Sequence, residues 1–151
     1  MKVYVNQVPE EGMFCEGEES SDVLDLKDAH ARAQAVAPIS YALQVGISDD
    51  GLWAHGKVGT VVECECVRCL TKFRRPLEVP NFAVQTQLEG RDTVDLTEHM
   101  REDILLALPA HPHCDWDGKK TCKVDFTAVE TAADPLDGGR DVWKGLDNLK
   151  L

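Results

Sequence analysis

The sequence predicts an α+β protein: an antiparallel β-sheet or partial barrel with one main helix. Three observations carry this reading. Apolar residues alternate on Tyr41, Leu43, Val45 and Ile47; Val58, Thr60, Val62, Cys64 and Cys66 then share one parity; and Leu96, Met100, Ile104 and Leu108 recur at every fourth position. Alternation with period two marks a strand with one buried face, whereas i, i+4 spacing marks one face of a helix.

In chain order, residues 1–5 read as a short strand. Glu10, Glu11, Glu16, Glu18, Glu19, Asp22 and Asp25 follow without an intervening Lys or Arg, the composition of a solvated loop. Residues 28–37, rich in Ala with Arg32 and Gln34, suit one or two helical turns before Pro38. Asp49-Asp50-Gly51 supplies the turn between the two alternating runs, which makes them a hairpin. A further strand covers 77–88, but its apolar parity changes at Pro80-Asn81, from Leu77 and Val79 to Phe82, Val84 and Leu88. Proline with a change of face predicts a bulge or an edge position. Thr93-Val94-Asp95-Leu96 leads into the helix, with Asp95 and Glu98 as a capping box and Pro109 and Pro112 as its stop.

The chain has 151 residues, the size of one domain, here 1–133, with 134–151 as an amphipathic tail carrying Trp143, Leu146 and Leu149. Its 43% hydrophobic and 28% charged content is that of a globular protein. No apolar run approaches the roughly 18 residues that would span a bilayer, and residues 1–5 lack the apolar core of a signal peptide. The expectation is a cytoplasmic protein without a membrane partner. The net charge of −11 disfavours general nucleic-acid binding, which needs cations to displace phosphate counterions. A basic protein partner, or a local basic patch, is compatible with it.

Enzyme signatures are weak. Gly51 to Lys57 fits most of a phosphate-binding loop, but Val58 stands where Ser or Thr would hold magnesium, and a strand pattern follows instead of a helix. No nucleophile triad, carboxylate pair or dinucleotide fingerprint rises above chance, and no small-molecule substrate is evident.

Cysteine is the informative residue type. Six cysteines in a chain without secretory features point to metal or redox chemistry rather than a disulfide framework. Cys66-Val67-Arg68-Cys69 stands where a strand run ends, and Cys114 and Cys122 follow the helix. Two thiolate pairs of this kind can enclose one Zn²⁺ as a tetrahedral site that clasps distant parts of the fold. His111 and His113 stand beside Cys114 as alternative ligands. A thioredoxin-like pair would need a βαβ context that is lacking, and catalytic zinc would need an open position and a hydrolase spacing. Cys64 shares the parity of Val58 and Val62 and reads as core; Cys15 has no partner in sequence. Arg68, Lys72, Arg74 and Arg75 flank the first pair, and Lys119, Lys120 and Lys123 flank Cys122. These seven balance the excess negative charge of a four-thiolate zinc site, form a contact patch for RNA phosphate or an acidic protein surface, or do both.

Residues 62–73, with Cys66-Val-Arg-Cys69-Leu70 at their centre, resemble the signature of the YceD-like proteins, the large ribosomal RNA subunit accumulation family. Thr93-Val94-Asp95-Leu96, Leu106-Ala-Leu-Pro109 with His113-Cys114, and Asp134-Pro135 with the tail leucines fall in that family's order, so the resemblance covers about 40–151. Many members carry a denser Cys- and Gly-rich cluster after the helix, where this chain has Cys114 and Cys122. The resemblance implies a non-enzymatic cytoplasmic factor supporting accumulation of large-subunit ribosomal RNA, with a ribosomal protein or the RNA itself as partner. A thiol- or zinc-based redox sensor, and a purely structural interaction module, are the alternatives.

Overall fold

A computed structural model describes residues 1–26 and 33–124. Its strands are β1 (Lys2–Tyr4), β2 (Met13–Glu19), β3 (Ala33–Ala35), β4 (Ile39–Ser48), β5 (Gly51–Glu65), β6 (Lys72–Gln87) and β7 (Thr93–Asp95), followed by the helix α1 (Thr97–Leu106). Strand β5 is the axis of the main sheet. One of its edges pairs along its length with β6. The other pairs first with β4 and then with β3, Ser40 facing Gly59 and Ala35 facing Val62. Thr60 donates its hydroxyl to the Ala37 carbonyl at 2.9 Å where these two pieces of edge meet. Strand β2 flanks β4, and β1 pairs with β7 as a separate two-stranded ladder. All these pairings are antiparallel, and no ladder joins β2 to β6 among the described residues. The arrangement is an open sheet, the first of the two forms expected, with one main helix.

The alternation in β4 and β5 has the predicted result. Ile39, Leu43, Val45, Leu52, Ala54, Val58, Val62 and Cys64 are buried on one face of the sheet. Leu96 at the N-cap of α1 and Met100 and Ile104 on the helix are each 0% exposed and belong to the same core cluster. Enclosing side chains of this size stabilises the fold by about 1.5–3 kcal/mol apiece. The parity change in β6 is a bulge. Gly56 faces Phe82 and Val58 faces Val79, so Pro80 and Asn81 together oppose Lys57 alone, and both Leu77 and Phe82 reach the core. At the same place Gly56 has φ +153°, and a Cβ there would stand 2.2 Å from the Ala42 carbonyl oxygen.

Three local expectations need correction. The acidic run is a loop only at its start, where Glu10 and Glu11 lie in an exposed turn: it then forms β2, whose Met13, Cys15, Gly17 and Glu19 are half-buried while Phe14, Glu16 and Glu18 stay exposed, and a 3₁₀ turn, Ser21–Leu24, with Leu24 in the core. Pairing along one edge with β4 holds these residues as a strand, which the composition alone could not foresee. Residues 33–35 are strand instead of helix, because β5 offers them a free edge; residues 27–32 lie outside the described residues. The start of α1 is not a capping box. Leu96 is the N-cap, Asp95 accepts from the Thr97 N–H at 3.0 Å in a local turn, and Glu98 pairs with Arg101 at 3.7 Å. The tail at 134–151, and with it the boundary at 133, also lies outside the described residues. No helix among the described residues is long and apolar enough to cross a membrane.

Candidate metal centre

Strand β5 ends at Glu65, and the next residue begins a tight turn that presents two sulfurs. The Leu70 N–H donates to the Cys66 carbonyl at 2.9 Å, and the Cys66 N–H donates to the Thr71 carbonyl at 3.0 Å, which closes the turn before β6 begins. Leu70 takes a left-handed conformation there, φ +57°, and is 69% exposed. The Val67 N–H donates to the Pro112 carbonyl at 2.9 Å, so the turn is fastened to the segment leaving the helix. That segment folds back through the Trp116 N–H on the His113 carbonyl, at 3.3 Å, and the Gly118 N–H on the Asp115 carbonyl, at 3.0 Å. It brings Cys114 and then Cys122 to the turn.

The sulfurs of Cys66, Cys69, Cys114 and Cys122 all lie within 4.8 Å of one another. Cys66 Sγ is 4.0 Å from Cys122 Sγ, and Cys69 Sγ is 3.7 Å from Cys114 Sγ. Four sulfurs at roughly 2.3 Å from a common tetrahedral centre stand about 3.8 Å apart. The cluster therefore has the size of a four-thiolate metal site, and its separations are far beyond the roughly 2.05 Å of a disulfide. All six cysteines are free thiols. Cys66 and Cys122 are buried and Cys69 and Cys114 half-buried, so the site faces solvent on one side. His111 and His113 are not members of the group, so neither replaces Cys122. Cys64 is a core residue at 1% exposure, and Cys15 lies on β2; burial raises the thiol pKa of both.

The environment distinguishes the four thiols. The Thr71 hydroxyl and N–H push Cys69 down to about 6. Burial raises Cys66, but the N–H groups of Cys69, Cys114 and Arg68 outweigh it and leave the thiol below its ordinary value. Burial and the neighbouring sulfurs push Cys114 up to about 12. Cys122 is raised as well, since the Val124 N–H favours its thiolate but burial and the Cys69 and Cys66 sulfurs together prevail. Four negative sulfurs this close repel one another strongly, and a divalent cation at their centre removes that repulsion.

The seven expected cations sit in a partly compensated surround. Arg68 meets Asp115 at 3.6 Å, Lys72 and Arg74 share Glu63 at 3.6 and 4.0 Å, and Lys119 meets Asp117 at 3.8 Å. The Arg75 guanidinium stacks over the Trp116 ring, 5.0 Å from its centroid. Lys120 and Lys123 have no acidic partner among the described residues. Lys72, Arg74, Cys114, Trp116 and Lys120 line one groove of about 420 Å³ that joins the start of β6 to the second cysteine segment. Thr71 and Trp116 are the residues that sequence reasoning passed over. Each stands two places after a cysteine of the cluster, which is the one signal that marks them.

The fold and the cluster define a class: an antiparallel sheet whose longest hairpin ends in a four-cysteine clasp suited to a metal ion. Comparison with protein-family models, curated proteins and solved structures gives no match.

Proposed function

We propose that this chain is a zinc-clasped, non-enzymatic factor in large ribosomal subunit biogenesis, supporting accumulation or processing of large-subunit ribosomal RNA. The observation that carries this reading is the coincidence of two independent features at Cys66-Val67-Arg68-Cys69-Leu70. These residues bear the sequence resemblance to the YceD-like family, and they also form the turn on which Cys114 and Cys122 converge. Zinc is the ion favoured by four thiolates at tetrahedral spacing, because it accepts that geometry and that ligand softness without redox chemistry. A complete set of four protein ligands suits a structural ion, which leaves recognition to the surrounding surface.

Among partners, the charge of −11 favours a basic ribosomal protein over free RNA. The salt pairs around the cluster point the same way, since Glu63, Asp115 and Asp117 already neutralise several of the cations that phosphate would need. Depleting the protein is expected to lower large-subunit ribosomal RNA relative to the small-subunit RNA, measured as their mass ratio in total RNA. An unchanged ratio would end the ribosomal reading while leaving the metal site intact.

A further inference from the structure

The main sheet has a second face: its hairpin end carries Glu63, Lys72 and Arg74 beside the metal centre, and its middle lies away from the four cysteines. Opposite the core, the alternate residues of β2, β4, β5 and β6 point outward, and Glu16, Glu18, Ser40, Lys57 and Glu78 among them are exposed. The apolar side chains of α1 join the core cluster on the other side.

A trough of about 460 Å³ crosses this face from strand to strand. The register explains its shape. Glu18 faces Ser40, Ser40 faces Gly59, and Gly59 faces Glu78, so a single row carries a carboxylate at each end and almost no side chain between. Gly59 is bare for a structural reason, since a Cβ there would stand 2.9 Å from the Leu77 carbonyl oxygen. In the next row Glu16 faces Ala42 and Ala42 faces Lys57, the one cation lining the trough. Glu16, Glu18 and Glu78 make no ion pair with any described residue. Aromatic surface continues the same face beyond them. Phe14 is 64% exposed, two residues before Glu16, and Trp53 stacks on His55 with ring centroids 5.2 Å apart, two residues before Lys57.

We propose that this outer face docks an extended, basic segment of a partner protein, laid across the strands along the trough. Three inter-strand steps of about 4.8 Å separate the backbones of Glu18 and Glu78 by about 14 Å. An extended chain advances about 13 Å in four residues, so Lys or Arg at i and i+4 reaches one carboxylate at each end. The small floor of Ser40, Ala42 and Gly59 lets the segment's backbone approach closely, and the aromatic flank receives a further cation or its aliphatic stem. Charge selects this occupant over the others. Three carboxylates against one lysine repel phosphate, and a second copy of this chain would set glutamate against glutamate across a two-fold axis. The site uses none of the metal ligands and stands independently of the ribosomal reading.

The test uses the full chain and a fluorescent thirteen-residue peptide with Arg at every fourth position in a Ser/Thr background, followed by anisotropy at low salt. Neutralising the trough with Glu16→Gln, Glu18→Gln and Glu78→Gln together is expected to weaken binding about tenfold, the sum of three exposed charge contacts. Lys57→Glu is expected to tighten it severalfold. A control that removes the same charge elsewhere, Glu10→Gln with Glu98→Gln and Glu102→Gln, is expected to change it less than twofold. A peptide of the same composition with its arginines adjacent should bind more weakly than the spaced one. Equal weakening by trough and control variants would reduce the effect to net charge and overturn the proposal. So would single-stranded RNA lost by the same trough variant, or a dimer that the trough variant dissolves.

Discussion

Cys69 Sγ lies 3.7 Å from Cys114 Sγ although the two residues are 45 positions apart in the chain. Their meeting joins the turn that ends the long hairpin to the segment that leaves the helix. The contact is reinforced nearby by the Val67 N–H on the Pro112 carbonyl and by the Arg68–Asp115 ion pair.

Metal content distinguishes the cluster from the other thiols. Purified, untagged protein should contain about one zinc per chain, as expected for a four-ligand structural site. Cys69→Ser and Cys122→Ser should each lose the metal and the cooperative thermal transition, while Cys15→Ser and Cys64→Ala keep it. Cys64→Ala removes a buried sulfur and should cost about 1 kcal/mol through packing alone. Full stability of the metal-free protein would exclude a structural role.

Proton release follows from the unequal thiols. At pH 7.5 Cys69, pushed down to about 6, is already a thiolate, whereas Cys114, pushed up to about 12, and the raised Cys122 hold their protons. Binding zinc must therefore expel protons chiefly from Cys114 and Cys122. Calorimetric titration in buffers of differing ionisation enthalpy should count about two or three. Below about pH 6 Cys69 also protonates, so the fall of affinity with acid should steepen there by one further proton.

Leu70 occupies a left-handed conformation, φ +57°, with its side chain 69% exposed, so little packing opposes its removal. Leu70→Gly should relieve strain on the order of 1 kcal/mol and raise the melting temperature without changing metal content. A lower melting temperature would show that the side chain has a contact outweighing that strain.

Gly56 presents the opposite case. Its Cβ would stand 2.2 Å from the Ala42 carbonyl oxygen and 3.0 Å from the Leu43 Cα, both backbone atoms of β4, and its φ is +153°. Gly56→Ala should destabilise the fold by about 3 kcal/mol or more, since neither neighbour can rotate away. Chemical denaturation would read this as a lower midpoint at unchanged slope.

Much of this architecture is legible in the sequence where periodicity is strong. The hairpin of β4 and β5, the parity change at Pro80-Asn81 and the buried face of α1 all follow from the spacing of apolar residues, because one face of each element must be enclosed. The cysteine group follows from pair spacing, although the seven-residue gap before Cys122 hid how closely it approaches Cys66. Strand β2 was illegible, since its inward positions are Met13, Cys15, Gly17 and Glu19, a weak apolar signal beneath a strong acidic one. Strand β3 was illegible for a related reason. Alanine favours a helix in isolation, and the free edge of β5 overrides that preference. Trp116 could not be placed without knowing that Arg75, from another element, stacks over its ring.

The clasp can also be regarded as a knot in the unfolded chain's freedom. Cys66 and Cys122 are 56 residues apart, and between them lie β6, β7 and α1. A permanent cross-link closing a loop of that length would remove roughly 4 kcal/mol of conformational entropy from the unfolded state. A metal held by four thiolates would act as such a link only while bound, so that the persistence of half this fold would then depend on the free concentration of an ion.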